Sequence, residues 1–591
     1  MLPWDAPSPP TDGPSVARNE RCIEVAPARH LTRPMTGPAA DRPGVRDTRG
    51  LSVYQGRVTS RLSDIDRRTP PRHGAPPVNA VAGIVAVGAA LGVGELVAVF
   101  VSPDSSPYFA VGSTVVDHSP LWMREWAINT FGTSDKLALF VVMGVVIAVI
   151  AGLCGVLERR RPPIGAVIIV AFAIVGVVAA LGRPGASASF VVPSLLAGAV
   201  GVVALRVLIG ILDGDSTIHA AGADADSADG NRPLRAPLSR RFVLSAAAIA
   251  AAAVAAGAIG RIKLASAART VADRAALRLP IPANPAPPVP ATADIGVDGA
   301  TPFVTDNADF YRIDTALQVP QLTTENWQLR VHGMVEKEFT LSWDELLKMP
   351  MTERLVTLTC VSNEVGGDLI GNARWLGVRM KDLLDRAGVR PGANMLLSSS
   401  SDGWTCGTPV SAITDNRDAL LAIGMNGEPL PIEHGYPVRQ VIPGLYGYVS
   451  ATKWVVDWEL TTFSAAQAYW TTRGWSATGP IKISSRIDRP SSGSDVRAGP
   501  VVIAGTAWAQ HTGIAQVEVR VDDGPWEQAS LATDYSNDTW RPWKYVWQAS
   551  SGNHTIACRA VGKDGLVQTS DNADPIPDGA TGLDTRAYTI A

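Results

Sequence analysis

The apolar positions of this chain follow two different rhythms. In the N-terminal half they run unbroken: residues 80–101, 137–157, 164–181, 190–212 and 242–260 are each close to the ~20 apolar residues with which a helix crosses a bilayer, which predicts five membrane helices. Beyond residue 302 the long runs give way to short alternations. Trp327-Gln328-Leu329-Arg330-Val331-His332-Gly333 alternates at strand period, and Ser342-Trp343-Asp344-Glu345 reads as a capped helix start. Short strands and helices mix from 303 to 478, the pattern of an α+β domain. From 479 to 591 the texture changes again. Residues 481–487, 501–508, 515–521, 544–547 and 554–560 alternate as short strands between Gly, Asp, Pro and Asn turns, with Asp523-Gly524 as a hairpin signal. That spacing predicts an immunoglobulin-like sandwich.

The polar segments divide the chain further. Residues 1–78 are rich in Pro, Arg and Gly without hydrophobic period and read as a disordered cytoplasmic tail. A four-helix membrane region (79–212), a cytoplasmic loop (213–241) and the fifth helix (242–260) follow. Residues 261–302 form a Pro/Ala-rich linker, whose Pro280–Pro290 part reads as a stiff spacer lifting the next domain off the membrane. Leu121 to Phe131 reads as an interfacial helix. Basic residues at Arg159-Arg160-Arg161 and from Arg232 to Arg241 mark cytoplasmic sides, which puts residues 261–591 outside. Glu95 and Arg206, near span ends, read as topology anchors. Ser239-Arg240-Arg241-Phe242-Val243-Leu244 before an alanine-rich run resembles a twin-arginine export signal, here internal.

Composition narrows the function classes. A net charge of −3 without long basic runs argues against nucleic acid as a partner. None of the eight histidines falls within a span, so a bis-histidine haem is not expected in the membrane half, and the cysteines carry no iron–sulfur spacing. The cysteines are Cys22, Cys154, Cys360, Cys406 and Cys558, too sparse for a disulfide framework. For Cys360 a free thiol, a metal ligand and a disulfide to Cys406 are all open.

Cys360 closes the β-branched run Leu355-Val356-Thr357-Leu358-Thr359 and precedes the polar turn Val361 to Gly367. Further along come Trp375-Leu376-Gly377-Val378, Met425-Asn426-Gly427-Glu428-Pro429-Leu430-Pro431, His434-Gly435-Tyr436-Pro437-Val438-Arg439, Pro443-Gly444 and Lys453-Trp454. In this order, over residues 303–478, they resemble the sulfite oxidase family of molybdopterin enzymes. The resemblance implies a molybdenum–molybdopterin cofactor, with Cys360 as the thiolate ligand of the metal. His434, Arg439 and Lys453 are then cofactor contacts, together with Asn363 of the Cys-x-x-Asn segment. Phe310-Tyr311-Arg312 resembles the segment bearing an active-site arginine, so Arg312 is a candidate for binding substrate, as is Arg473 of the Trp470-Thr471-Thr472-Arg473 stretch.

Departures from the pattern fall in the same places. Ile313-Asp314 stands where sulfite-oxidising members have Asn-His, Glu364 follows Asn363 where they have an arginine, and the late region has no counterpart of their tyrosine. A sulfite dianion favours concentrated positive charge, which a carboxylate opposes; oxygen-atom transfer in either direction, on a sulfite-like or sulfoxide-like substrate, stays open. The family also implies dimerisation through the C-terminal domain and electron exchange with a separate redox protein or quinone. The competing reading is a non-catalytic outer-surface module using Trp508, Trp526, Trp540, Trp543 and Trp547, most of which read as sandwich core. A transporter is disfavoured because the spans lack paired charges and broken helices.

Overall fold

The computed structural model describes residues 76–591 except 121–122, 124–125, 128–129, 132–134, 184–185, 224–239, 261–263, 492 and 495. The expected disordered tail, but for its last residues, and most of the cytoplasmic loop, with Arg232 and Ser239, lie outside the described residues, as do Leu121 and Trp122.

The N-terminal helical half comprises α1 (Pro76–Val101), α2 (Pro107–His118), α3 (Asp135–Arg160), α4 (Ile164–Leu181), α5 (Val191–Ala223) and α6 (Arg240–Gly260). Among the described residues four segments are long and apolar enough to cross a membrane: Val78–Val101, Lys136–Arg160, Ile164–Leu181 and Ala188–Asp213. The fifth expected span forms α6, which packs on α1. Valine and leucine side chains on α3 and α4 face outward, and the interior is lined by small residues such as Ala82, Ala86 and Ala204. Without a hydrophobic gain in lipid, close backbone approach is what holds such helices together. A Cβ on Gly83 or Gly155 would overlap the backbone of the facing helix, so α1 and α3 touch at glycines.

Polar side chains gather at the bundle's ends. Arg159 donates to Asn79 Oδ1 (2.9 Å) and Asp213 Oδ1 (3.0 Å), and Arg206 Nε lies 3.9 Å from Glu158 Oε1. Toward the other end, Ser106, which caps α2, also donates to Glu95. Trp126 and Phe131, within the expected interfacial segment, are exposed and meet edge to face at 5.8 Å.

The α+β domain is built on two five-stranded sheets. One has the order β2–β1–β10–β5–β6, with β1 (Gln328–Gly333), β2 (Phe339–Ser342), β5 (Met395–Ser400), β6 (Thr405–Pro409) and β10 (Val455–Thr461). The other joins β3 (Met351–Thr359), β4 (Ile370–Arg379), β7 (Leu420–Met425) and β8 (Glu428–Pro429), with β9 (Arg439–Val441) also paired to β7. β7 is wholly buried and reads as a continuous apolar run, while β3 is buried apart from its part-exposed Glu353 and Arg354. The capped helix expected at Ser342 is present: Ser342 and Glu345 form a capping box at the start of Trp343–Leu347.

The expected linker is more ordered than its composition suggests. Residues Leu264–Ala276 form α7, and the Pro/Ala stretch, although extended, is packed along β3: Ala283 N donates to Met351 O (2.9 Å) and Glu353 N to Asn284 O (2.9 Å). A free spacer would leave Ala286 and Ala293 in water; here both are buried. The Pro/Ala stretch is accordingly part of this domain's own packing.

The C-terminal region is a two-sheet sandwich with strand orders β11–β12–β16–β15 and β14–β13–β17–β18. All five expected strands appear: β11 (Ser484–Arg489), β12 (Gly499–Trp508), β13 (Ile514–Val521), β16 (Arg541–Ala549) and β17 (Gly552–Gly562). β14 (Glu527–Gln528), β15 (Ser530–Leu531) and β18 (Thr585–Ile590) complete them. Trp543 and Trp547 pack in the sandwich core, whereas Trp508 and Trp540 belong to the core of the preceding domain. Trp540 Nε1 donates to Phe303 O and its backbone N to Thr357 Oγ1, both at 2.8 Å, while Gln510 Nε2 donates to Thr359 Oγ1 at 3.0 Å. The sandwich thus backs the strand that ends in Cys360.

Candidate functional site

Cys360 stands at the mouth of the β3–β4 hairpin. Thr359 pairs with Ile370, Cys360 N donates to Leu369 O (2.9 Å), and Asn363 N turns back to Cys360 O (3.1 Å). Asn363 is buried, and its Oδ1 accepts from Leu369 N at 2.8 Å, so this side chain braces the loop that carries the thiol. The sandwich clamps the same loop, Arg486 Nη1 donating to Gly367 O at 2.8 Å. Burial pushes the Cys360 thiol pKa up, opposed by donors aimed at sulfur: the Ser362 N–H and hydroxyl and the Val361 N–H. Those donors suit a thiolate, and a bound cation would supply the remaining stabilisation. Cys360 and Cys406 are separate free thiols, so the disulfide reading does not hold; Cys406 is hydrogen-bonded within its own strand region by Thr408.

A second wall is the loop from Ile432 to Lys453. His434 ends a 3₁₀ turn, and Gly435 follows at φ +111°. A Cβ on Gly435 would lie 3.0 Å from Arg439 Cβ and 3.1 Å from Lys453 Cα, so glycine lets His434, Arg439 and Lys453 converge. Arg439 is buried over the Trp375 ring (5.0 Å to the centroid) and donates from Nη1 to His434 O at 3.1 Å. Burial lowers its pKa to about 10. Lys453, also buried, donates to Glu433 O (3.1 Å) and Asp314 Oδ2 (2.9 Å); burial takes its ammonium down to about 8 despite the pull of Asp314. His434 meets Phe310 edge to face at 5.7 Å. Burial, then Arg439, Lys453 and Arg312, hold its pKa down to about 3, so the imidazole is neutral.

The segment Phe310 to Asp314 lies across these walls. Arg312 is 43% exposed and donates from Nε to Asp314 Oδ2 at 3.1 Å. Asp314 is buried, which alone would raise its pKa, but Lys453 and Lys136 outweigh burial and hold it well below the usual carboxylate range. Tyr311 and Tyr446 both lie close enough to Cys360 for its charge to bear on their ionisation, and burial is the main cause of their raised pKa values, that of Tyr446 reaching about 12. Neither was singled out as the missing tyrosine from sequence. Arg473 sits elsewhere: its guanidinium stacks on Tyr469 at 3.6 Å, donates to Tyr469 O (2.8 Å) and comes within 3.8 Å of Asp117 on α2. The site loop is braced from behind by α7, where Asp273 accepts from Tyr436 Oη (2.7 Å) and Arg274 Nε donates to Leu430 O (2.8 Å).

The residues therefore assemble a sulfur donor and a patch of fixed positive charge around a neutral histidine. Guanidinium and ammonium groups arranged this way recognise an anion such as a phosphate, and the donors around Cys360 suit a metal-bound thiolate. Both halves fit a molybdopterin.

Comparison with known proteins agrees with this fit. Residues 316–470 match the family described as oxidoreductase molybdopterin binding domain, and residues 484–557 match a bacterial Ig domain. The chain is 30% identical to the mitochondrial sulfite oxidase of Rattus norvegicus over 323 residues, covering 46% of this chain and 58% of that protein. It is 36% identical over 129 residues to the uncharacterized oxidoreductase YuiH of Bacillus subtilis (strain 168), covering 22% of this chain and 62% of that one. The crystal structure of the sulfane dehydrogenase SoxCD from Paracoccus pantotrophus aligns with a TM-score of 0.44 and 22% identity, over 50% of this chain and 85% of that one. The chain spans less than two thirds of the length of these curated relatives. Residues 316–470 thus carry an oxidoreductase molybdopterin binding domain, and this part of the chain is similar to the sulfite oxidases.

Proposed function

We propose that this chain is a membrane-anchored molybdopterin oxidoreductase that moves an oxygen atom to or from a small oxo substrate in a two-electron step on the outer face of the membrane. The observation that carries the reading is the convergence of His434, Arg439 and Lys453, with Tyr311 within electrostatic reach of both Arg439 and Cys360. Cys360 is the metal's protein ligand, and His434, Arg439 and Lys453 hold the anionic end of the pterin. Asn363 fixes the loop. The bound cofactor supplies the redox centre at which an oxo group is gained or lost.

This chain's residues orient the substrate. Arg312, partly open to solvent at the edge of the cluster, faces an anionic or oxo group, whereas Arg473, engaged with Tyr469 and Asp117, stands apart from it. Burial keeps the Tyr311 and Tyr446 phenols protonated within electrostatic reach of Cys360. Asp314 offsets part of the cationic charge. This favours a less highly charged substrate, sulfoxide-like, over a sulfite-like dianion.

Five spans anchor the enzyme, and α6 doubles as an internal twin-arginine signal. The outer placement is supported by the ends of the bundle: the catalytic domain meets α2 and the start of α3, opposite the Arg159–Arg161 end that reads as cytoplasmic. A separate redox protein or quinone exchanges electrons with the site, and the sandwich joins two copies.

The test is molybdenum per polypeptide on protein purified from host membranes, with dye-coupled turnover of sulfite and of sulfoxides. Near-stoichiometric metal with turnover lost in Cys360→Ala is expected. Metal-free protein from a host that makes the cofactor would sink the reading.

A further inference from the structure

Lys136 opens a helix of the membrane half, yet its ammonium is bonded into the catalytic domain. Nζ donates to Asp314 Oδ1 at 2.8 Å and to Ala316 O at 2.6 Å. The Asp314 side chain is only 5% exposed, and its other oxygen accepts from Lys453 and Arg312. One buried carboxylate therefore ties a cation of the membrane half to two cations of the anion site. A second contact joins the halves elsewhere: Asp117 of α2 accepts from Tyr469 Oη at 2.8 Å and from Arg183 Nη1 at 3.0 Å.

The charges at Asp314 are not independent. A buried carboxylate must be satisfied by whatever cations surround it, because leaving it uncompensated costs several kcal/mol. With Lys136 on Oδ1, that demand is shared. Without Lys136, the carboxylate falls back on Lys453 and Arg312, and an ammonium committed to Asp314 is less available to a phosphate. Lys453 is only 10% exposed, so it has little room to serve both.

We propose that Lys136 is a positioning residue for the cofactor's anion site: it shares the Asp314 charge from the membrane side and so lessens the hold of Asp314 on the Lys453 ammonium that meets the pterin phosphate. The Lys136–Asp314 contact and retention of the cofactor are then linked, and linkage is reciprocal. This rests on the molybdopterin reading and adds to it a residue of the membrane half.

The experiment uses the full chain, purified in detergent from a host that makes the cofactor. Bound molybdenum and pterin are followed with time after dilution in wild type, Lys136→Met, Lys136→Arg and Asp117→Asn. Lys136→Met is expected to release both about tenfold faster, the factor that loss of one charge-assisted contact gives. Lys136→Arg, which keeps the charge and both contacts, stays within about twofold. Asp117→Asn, which removes the charge from the other contact, releases at the wild-type rate. Hydrogen exchange over residues 310–317 supplies a readout independent of turnover: it is faster in cofactor-free than in loaded wild type, and the difference shrinks in Lys136→Met. If Lys136→Met does not accumulate, Lys136→Gln gives the same comparison. Equal release from wild type and Lys136→Met, or equally fast release from Asp117→Asn, overturns the inference while leaving the site reading intact. Wild-type protein without molybdenum or pterin overturns both.

Discussion

Replacing Gly435 with alanine should disable the cofactor site far more than its single added methyl suggests. Gly435 lies at φ +111°, beyond the left-handed region that side chains tolerate, which costs an alanine about 1–2 kcal/mol. The new Cβ would also stand 3.0 Å from Arg439 Cβ and 3.1 Å from both Lys453 Cα and Cβ. Lys453 Cα is backbone and cannot rotate away, so the chain must shift, adding about 1–3 kcal/mol. The sum, ~2–5 kcal/mol, falls on the spacing between His434 and Lys453. Gly427 is the control. It has φ +81° with nothing within 4 Å of its Cβ position, so Gly427→Ala incurs the backbone term alone. Molybdenum per polypeptide and the thermal midpoint of the full chain in detergent are measured for both. Gly435→Ala should lose most of its metal and melt several degrees below Gly427→Ala. Equal behaviour of the two variants would refute the claim that close approach at Gly435 builds the site.

Trp540→Ala should destabilise the protein by about 3–5 kcal/mol, since Trp540 is 1% exposed and bridges two domains; hydrogen exchange should show β3 amides opening, and unchanged protection would count against the sandwich as a brace. Asn363→Ala leaves the part-buried Leu369 N–H without its acceptor, a loss of about 1 kcal/mol confined to the Cys360 loop; lower metal content with a nearly unchanged thermal midpoint is the expected pattern. In cofactor-free protein, Lys453 has its pKa lowered by burial to about 8, so anion affinity is full below that pH and falls as pH rises through it. Phosphate or pterin binding that stays constant from pH 7 to about pH 9 would contradict this assignment. For folding the sign is opposite: with the folded pKa below the unfolded one, Lys453 costs stability below about pH 8, and that cost fades as pH rises toward the unfolded value near 10.5.

The long apolar runs and the alternating strands were legible because both are set by local burial patterns, and they located the bundle, the α+β domain and the sandwich. The motif around His434, Arg439 and Lys453 was legible because close spacing within one loop keeps these residues together in the fold. Other features depend on distant contacts. Asp314 stood out only as a departure from the family pattern; its role as counter-ion to Lys453 and Lys136 needs a helix 178 residues earlier in the chain. Tyr446 lies beside Cys360 through packing of separate loops, which no spacing encodes. The Pro/Ala stretch after α7 reads as spacer from composition, yet the free edge of β3 gives it hydrogen-bond partners. Trp540 looked like sandwich core because its neighbours in sequence are; it faces the other domain because β16 begins at the junction.

The most direct test of the account is the sulfur coordination of molybdenum by X-ray absorption, in wild type and Cys360→Ser loaded in the same host. Cys360 as the protein ligand predicts near-stoichiometric metal in the wild type and one sulfur neighbour fewer in the variant. An unchanged sulfur shell in Cys360→Ser would contradict it, and metal-free wild type would contradict the site as a whole.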